Sequence, residues 1–297
     1  MRPACARRGV AFIVVLWVIA LLTVLLGSFT LLARTEALQS RHLFDSATAR
    51  FAAEAGLHRA VLELSNPDLA TRWIGDGRSY SLELGEAEVA VTLTDESGKI
   101  DINVADEMAL TALFQSAGLD EDEVRGLVDA VLDWRDADDL VRAFGAERDD
   151  YAAAGYTYGP SDRPFATVEE LQQVMGMTHA VFRRIEPAIT VHSGSAQPNP
   201  FFATLEALMT LPGMDEDLAR EIIAQRQLQE PGMQGVPVAT LPDGTPIVAQ
   251  PGGLTYSVRV RATLPNGAWT ELDATIRLGA QARAGRPFQI LRWRDSD

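Results

Sequence analysis

Cysteine is nearly absent from this sequence, which has one such residue, Cys5, among 297. Cys5 lies in a short basic stretch, residues 1–9, that ends in Gly9. A chain cut after Gly9 would have no cysteine and could form no disulfide, even in an oxidising compartment. Cys5 does not indicate a lipoprotein either, because lipidation needs an apolar run before the cysteine and here that run follows it. The fold therefore depends on packing or on bound metal.

Histidine is also scarce, and the four in the chain are His42, His58, His179 and His192. The sequence contains no HExxH pair, no GxSxG nucleophile turn and no glycine-rich phosphate loop. It therefore predicts a protein that is not an enzyme and has no catalytic residue. His58 falls among the apolar positions of a predicted helix, and we expect it to be a packed core histidine.

Positive charge is in short supply, since 26 basic residues face 41 acidic ones and the net charge is −15. This balance argues against a nucleic-acid partner, because phosphate binding depends on basic clusters that release counterions. The charge is uneven: residues 120–150 hold twelve acidic residues and four arginines. Either a solvated helical face or a cation site with oxygen ligands would explain that excess.

What the sequence does have is a nearly unbroken apolar run, residues 10–33, directly after Gly9. A helix of this length spans roughly 36 Å, enough to cross a hydrocarbon core of about 30 Å. Three arginines and no acid precede the run, so we expect the N-terminus in the cytoplasm and the rest outside, in the periplasm of a Gram-negative cell. The only plausible cleavage site lies before the apolar helix, which predicts a retained anchor. An uncleaved signal anchor is the alternative.

The helical pattern continues beyond the membrane and stops at Ser65-Asn66-Pro67. The result is one predicted helix of about 55 residues, whose apolar face must be covered by a sheet or by another subunit. The residues expected on that face are Phe44, Ala47, Phe51, Ala55, His58 and Leu62.

Period-two alternation predicts strands at both ends of the remaining chain. The predicted fold class is α+β: a type IV pilin-like long N-terminal helix packed on a small antiparallel sheet, with a large all-helical insertion. Residues 229–253, rich in proline and glycine, are expected to form a connecting loop. The predicted strand positions are Tyr80, Leu82 and Leu84, then Val89, Val91 and Leu93 across Gly85, later Tyr256, Val258 and Val260, then Leu272, Ala274, Ile276 and Leu278, and the run from Phe288 to Trp293.

This pattern divides the chain into five predicted regions. They are a leader (1–9), a transmembrane segment (10–33), a helix and first hairpin (34–97), the helical insertion (98–230), and a loop with C-terminal strands that complete the sheet (231–297).

Three segments of the insertion align without gaps around Gly118, Gly176 and Gly213. Each has a leucine five residues before the glycine and an arginine seven after it, the arginines being Arg125, Arg183 and Arg220. The spacing predicts two helices that meet at a glycine turn, and it resembles the helix-hairpin-helix of SAM-like domains. DNA-binding versions have a second glycine two residues after the first, but this chain has Asp120, Thr178 and Asp215 there. We therefore interpret the repeats as packing units.

The acidic stretch after the first repeat is the best candidate for a metal site. Several carboxylates on one loop can supply the oxygens that a hard cation needs, although the register of an EF-hand is absent. The candidate ligands are Asp133, Asp136, Asp138, Asp139, Glu147 and Asp149, with Asp136, Asp138, Glu147 and Asp149 as first choices.

A basic leader that ends in glycine before a surviving apolar helix resembles the class III signal of type IV pilins and type II secretion pseudopilins. Those proteins normally have glutamate at the fifth mature position, where this chain has Val14. Together with the insertion and the phrases DESGKIDIN (95–103), DWRDADD (133–139) and FGAERDDY (144–151), the chain resembles the GspK family of minor pseudopilins in the type II secretion system. The resemblance covers nearly the whole length.

The resemblance implies that prepilin peptidase cuts between Gly9 and Val10 and methylates Val10. It implies a non-enzymatic tip subunit that joins GspI and GspJ above the major pseudopilin GspG, and a structural Ca²⁺ in the helical insertion. In this family the missing glutamate is thought to pair with the amino terminus of the preceding subunit. Val14 therefore fits a subunit that has no predecessor, because it avoids an unpaired carboxylate in lipid.

Two other functions stay open at this point. A minor pilin of a type IV pilus would share the leader and the helix. A membrane-anchored nucleic-acid protein of competence type would share the hairpin repeats, although the charge and the missing glycines oppose it.

Overall fold

The computed structural model describes residues 8–233, 235–279 and 287–296. Residues 1–7 of the predicted leader lie outside this part of the chain. The described residues form a mixed α+β structure with one long N-terminal helix, an antiparallel sheet and a group of shorter helices, as predicted.

The long helix, α1, runs from Arg8 to Leu64 and has 57 residues. Its first half contacts no other part of the described chain. Its second half packs on the sheet through small side chains, among them Ala49, Ala53 and Ala60. Gly56 faces the sheet so closely that a Cβ atom there would lie 2.7 Å from Val260 Cγ1. Small residues therefore set the close approach of α1 to the sheet.

The predicted packing face of α1 is wrong. Its six predicted residues, Phe44, Ala47, Phe51, Ala55, His58 and Leu62, are all exposed. The helix has two apolar faces. The sheet packs against the one where small residues, alanine and Gly56, alternate with Leu57, Val61 and Leu64, because the small side chains allow closer contact. His58 is not a core histidine: it is exposed and meets Phe288 edge-on, with ring centroids 5.7 Å apart.

The chain has nine described strands. Five of them form one antiparallel sheet in the order β1-β2-β7-β8-β9, and the others pair as β3 with β4 and β5 with β6. The strands are β1 (Asp76–Leu84), β2 (Ala87–Asp95), β3 (Ile100–Asp101), β4 (Ile189–Thr190), β5 (Pro237–Thr240), β6 (Pro246–Val248), β7 (Thr255–Thr263), β8 (Trp269–Leu278) and β9 (Phe288–Ser296).

The order of the sheet confirms the predicted hairpins and shows where the insertion belongs. The chain leaves the sheet after β2 and returns in β7, which is the next strand in space, with Asp95 opposite Tyr256. The alternating residues Val89, Val91 and Leu93 of β2 are fully buried under α1, as are Val258 and Val260 of β7.

The insertion between β2 and β7 has its own hydrophobic core. Its helices are α2 (Glu107–Ser116), α3 (Glu121–Arg135), α4 (Arg148–Ala153), α5 (His179–Ile185), α6 (Leu205–Leu208) and α7 (Glu216–Gln227), with 3₁₀ turns at Glu96–Gly98, Val168–Gln173 and Glu186–Ala188.

The segment expected to be a plain connecting loop, residues 229–253, contains the hairpin of β5 and β6. Ile247 and Ala249 are buried in the core of the insertion, and β5 packs against α7. The expectation of a loop was wrong because proline and glycine also occur at strand edges and turns, and the buried side chains here are too few to give an alternating pattern.

The phrase DESGKIDIN forms the joint between the sheet and the insertion. Asp95, fully buried at the end of β2, accepts hydrogen bonds from Ser97 N at 2.9 Å and Gly253 N at 2.5 Å. The next residue, Glu96, pairs with Lys99 at 2.7 Å and accepts from Ser257 Oγ at 2.6 Å. These hydrogen bonds therefore connect the segment that leaves the sheet after β2 to the segment that returns to it in β7.

A buried arginine makes a second connection. Arg226 of α7 is 2 % exposed, and its guanidinium donates to the carbonyls of Asp76 and Pro200, both at 3.1 Å. Arg78 pairs with the Asp76 carboxylate at 2.8 Å and donates to the Arg226 carbonyl at 3.0 Å. Burial lowers the pKa of Arg226 to about 10, so the side chain stays charged at neutral pH.

We predict that Arg226→Ala lowers the free energy of unfolding by about 3 kcal/mol, because it leaves the buried carbonyls of Asp76 and Pro200 without their donor. Arg220→Ala is the matched control, since Arg220 is an exposed arginine of the same helix paired with Glu216. It should cost less than about 0.5 kcal/mol. Denaturant unfolding of the full chain in detergent measures both, and equal losses would contradict the prediction.

Candidate cation site in the helical insertion

The three hairpin turns of the insertion have the backbone that the repeats predict. Gly118, Gly176 and Gly213 have φ of 81°, 84° and 73°, a left-handed conformation that favours glycine. In the first repeat α2 and α3 flank the turn, in the second a 3₁₀ turn and α5, and in the third α6 and α7.

The residues that replace the second glycine of DNA-binding hairpins are helix N-caps. Asp120 accepts hydrogen bonds from the amides of Asp122 and Glu123, at 3.0 and 2.9 Å. Thr178 Oγ1 accepts from Val181 N at 3.2 Å, and Asp215 Oδ1 from Leu218 N at 2.8 Å. The amides that a phosphate would need are thus already bonded to side chains of this chain, two of which are carboxylates.

The acidic residues after the first repeat gather around Asp133, which is fully buried in the last turns of α3. Arg142 Nε lies 3.1 Å from Asp133 Oδ1, and the Arg142 amide donates to Asp133 Oδ2 at 3.2 Å. The same guanidinium lies 3.3 Å from Asp136 Oδ2. Burial raises the pKa of Asp133 and of Asp136 above the ordinary value.

Glu147, at the start of α4, is the most perturbed of these acids. It is 7 % exposed, and neither oxygen of its carboxylate has a hydrogen-bond partner. Burial, reinforced by the negative charges of Asp133, Asp136 and Asp162, raises the pKa of Glu147 to about 7. A buried carboxylate without a donor is costly unless it is protonated or bound to a cation.

Sequence reasoning missed Asp162. Asp162 adopts a left-handed backbone with φ of 51°, and its Oδ1 is buried without a hydrogen-bond partner. Its other oxygen lies 3.8 Å from the Arg148 guanidinium. Asp162 is fifteen positions beyond Glu147 and belongs to no acidic run, so its spacing gave no signal.

Sequence reasoning also missed Gly145, which lies beside the buried Asp133. A Cβ atom at Gly145 would lie 1.9 Å from Asp133 Oδ2, so only glycine fits there. The glycine in FGAERDDY was the available signal.

The remaining candidates lie at the rim of this group. Asp138 and Asp139 are exposed; Asp139 adds to the negative charge around Glu147, and Asp138 accepts from Leu140 N at 3.0 Å. Asp149 is exposed in the first turn of α4. The structure thus brings Asp133, Asp136 and Glu147 together and adds Asp162, whereas Asp149 lies apart.

In the described part of the chain, no three acidic, histidine or cysteine side chains converge closely enough to form a complete metal site. The acidic group nevertheless fits a hard cation, because four buried carboxylate oxygens lack a hydrogen-bond donor: Asp136 Oδ1, Glu147 Oε1, Glu147 Oε2 and Asp162 Oδ1. A fifth, Asp133 Oδ1, has only the Arg142 guanidinium, 3.1 Å away. Oxygen ligands of this kind are those that Ca²⁺ prefers.

The predicted processing site lies at the start of α1. Gly9 and Val10 belong to the first turn of the helix, and Val14 is exposed on it. The helix contains an 18-residue window with a mean hydropathy of 2.7, none of which is buried within the chain. Its length and composition fit a single membrane-spanning segment near the N-terminus.

Comparison of this chain with known proteins shows which family it resembles. The family described as type II secretion system (T2SS), protein K matches residues 90–194, which include all three phrases quoted above and the acidic group up to Asp162. Type II secretion system protein K of Klebsiella pneumoniae is 28 % identical over 204 residues, 62 % of this chain and 62 % of that protein. The chain is thus similar to protein K of type II secretion systems.

Another protein K, from Pseudomonas aeruginosa, is 26 % identical over 243 residues, which cover 74 % of this chain and 72 % of that protein. The alignment with the Klebsiella protein K spans less than two thirds of that relative. Among solved structures, a chain of the GspK-GspI-GspJ complex from enterotoxigenic Escherichia coli superposes with a TM-score of 0.57 at 18 % identity. That superposition covers 89 % of this chain and 99 % of the other, and it shows that the two share a fold.

The raised pKa of Glu147 predicts how stability changes with pH. Between the pKa of an unfolded glutamate, about 4.3, and the folded value of about 7, the folded chain binds more protons than the unfolded chain. Raising the pH through this window therefore destabilises the fold. In the presence of a chelator, the melting temperature of the full chain should fall more steeply between about pH 5 and about pH 7.5 than that of Glu147→Gln.

Asp149→Asn is the control for this measurement, since Asp149 is exposed in the same helix. It should keep the pH dependence of the wild type. If Glu147→Gln and the wild type melt with the same dependence on pH, Glu147 does not have the raised pKa.

Proposed function

We propose that this chain is a non-enzymatic minor pseudopilin at the tip of the type II secretion pseudopilus. There it initiates or caps assembly of the filament that exports folded proteins across the outer membrane. Its partners are the minor pseudopilins GspI and GspJ, the major pseudopilin GspG and prepilin peptidase. It crosses the inner membrane once, with the N-terminus in the cytoplasm and the folded body in the periplasm.

The observation that carries this proposal is the combination of a bare apolar helix with a bulky insertion. The first half of α1 exposes its apolar side chains on all sides, as a segment does that is surrounded by lipid or by the helices of other subunits. About half of the chain, residues 96–254, is inserted between two neighbouring strands of the sheet. Such bulk on a pilin-like body suits an end of a filament better than its shaft.

Val14 supports the same position. A glutamate there would place a carboxylate in lipid, which costs several kcal/mol unless it is paired. The resemblance to pilins and pseudopilins implies that this partner is the amino terminus of the preceding subunit, which a first subunit lacks. An apolar residue at this position therefore suits the subunit that starts the filament.

The alternatives are less well supported. A competence-type nucleic-acid function would need free amides at the hairpin turns, but Asp120, Thr178 and Asp215 accept hydrogen bonds from them. A minor pilin of a type IV pilus would share α1 and the sheet. The similarity to protein K of type II secretion systems, which includes residues 96–194 of the insertion, favours the secretion pseudopilus.

The first test concerns processing at the membrane. Co-expression with prepilin peptidase should reduce the intact mass by the nine leader residues and add one methyl group, and Gly9→Val should stay at full length. Gly27→Val is the matched control, because Gly27 lies in the same helix and a Cβ there would meet nothing within 4 Å. It should be cut as the wild type is. An unchanged mass of the wild type would contradict the processing.

We also propose that the acidic group binds a structural Ca²⁺. Asp133, Asp136, Glu147 and Asp162 are the ligands that the geometry favours, with Asp138 or Asp139 completing the shell from the rim. The support is the set of four buried carboxylate oxygens without donors, on Asp136, Glu147 and Asp162, and the raised pKa of Glu147. Binding would supply positive charge to carboxylates that Arg142 neutralises only in part.

Calcium should raise the melting temperature of the full chain in detergent at neutral pH, because a ligand that binds only the folded state stabilises it, by about 2.7 kcal/mol at a hundredfold excess over Kd. Glu147→Gln and Asp162→Asn should lose most of this rise. Asp149→Asn should keep it, which separates the buried group from the exposed acid. A wild type that melts at the same temperature with calcium and with chelator would contradict the site.

A further inference from the structure

An apolar groove lies beside the acidic group, on the outer side of α3. Its volume is about 320 Å³. One wall is α3, another is the second hairpin turn around Gly176, and the third is the loop from Phe144 to Ala146. The groove is lined mainly by apolar side chains, including Leu127, Ala130, Met175 and Val181. It is large enough for one or two apolar side chains of another molecule.

The floor of the groove contains a glycine that the fold itself does not need. Gly126 lies in the middle of α3, where glycine lowers helix stability relative to alanine. It is not among the residues with positive φ, and a Cβ atom there would come no closer than 4.0 Å to its nearest neighbour, the Phe144 carbonyl oxygen. No described neighbour excludes a side chain at this position. An occupant that approaches the helix closely would explain the glycine.

The loop beside the groove exposes large apolar side chains. Phe144, which lines the groove, is 57 % exposed, and Leu140 and Val141 of the same loop are 76 % and 55 % exposed. The loop is nevertheless fixed at Phe144: its amide donates to Asp129 at 2.9 Å, and the Arg125 guanidinium lies 5.3 Å from its ring centroid. The structure therefore presents an apolar surface in a defined position, as interaction sites do.

The acidic residues around the groove indicate that its occupant carries basic side chains. Glu123 is the one charged side chain among the described lining residues. The N-cap Asp120 and the first three residues of α3, Glu121 to Glu123, are all acidic and exposed. Residues 120–150 as a whole contain twelve acids and four arginines. An apolar side chain of another molecule would fit the groove, and basic residues next to it would meet this negative rim.

We propose that this groove is a docking site for a partner protein, which inserts an apolar side chain flanked by basic residues. This groove is separate from the candidate cation site. Gly145 and Ala146 lie between the two. The inference goes beyond the tip function: it requires neither processing at Gly9 nor calcium.

Substitution at Gly126 tests the proposal directly. Gly126→Leu places a side chain at the groove, and its Cβ would come no closer than 4.0 Å to its nearest neighbour, the Phe144 carbonyl oxygen. It replaces glycine with a better helix former, so it should fold at least as stably as the wild type. Ala152→Leu is the matched control, because it places the same side chain on an exposed position of α4, outside the groove.

The probe is a fluorescent peptide with two central leucines flanked by lysines, added to the full chain in a non-ionic detergent. Fluorescence anisotropy should show saturable binding to the wild type and to Ala152→Leu. Binding to Gly126→Leu should be at least about tenfold weaker, and binding to the wild type should weaken as salt increases. A second peptide, with glutamates in place of the lysines, should not bind.

Three results would overturn the proposal. They are equal binding to the wild type and to Gly126→Leu, equal binding of the two peptides, and no saturable binding of the lysine-flanked peptide. Light scattering on the same samples identifies one other occupant: a wild type that dimerises while Gly126→Leu stays monomeric would show that a second copy fills the groove, and it would also overturn the proposal.

Discussion

A buried carboxylate, Asp95, controls where the helical insertion is attached to the sheet. It lies at the end of β2, opposite Tyr256 of β7, and it accepts hydrogen bonds from the chain that leaves, at Ser97, and from the chain that returns, at Gly253. Burial raises the pKa of Asp95, and the backbone donors offset part of that effect. Because the two strands are neighbours, about half of the chain can be inserted there without breaking the sheet.

Close packing determines which face of α1 contacts the sheet. The sheet lies against the small residues of the helix, and Gly56 allows the closest approach, to Val89 and Val260. The bulkier apolar residues, such as Phe44 and Phe51, consequently face outward, along with the whole apolar first half of the helix. The described part of the chain thus leaves apolar surface uncovered, which is consistent with a component of a multi-subunit assembly.

Much of this fold could be predicted from the sequence, because its signals are local. The hairpin around Gly85, the C-terminal strands and the glycines of the three helical turns all follow from period or from backbone conformation. The face of α1 was not predictable in that way, since both faces are apolar and only the approach of the sheet decides between them. The hairpin of β5 and β6 was missed because only Ile247 and Ala249 bury deeply.

The candidate cation site was also predictable from the sequence only in part. Asp133, Asp136 and Glu147 lie in one acidic stretch that spacing could identify. Asp162 comes from a later loop and reaches the group only through the tertiary fold, and Gly145 matters only because Asp133 is buried beside it. Asp149 fits the acidic stretch as well as its neighbours do, but the first turn of α4 directs it to solvent.

The position of this chain in the filament is the central claim, and labelling tests it most directly. An epitope inserted at Gly155, in an exposed turn of the insertion, would be located by immunogold electron microscopy on pseudopili from cells that express the tagged chain. A tip subunit predicts gold at one end of each filament and none along its length. Label distributed along the shaft would contradict the account.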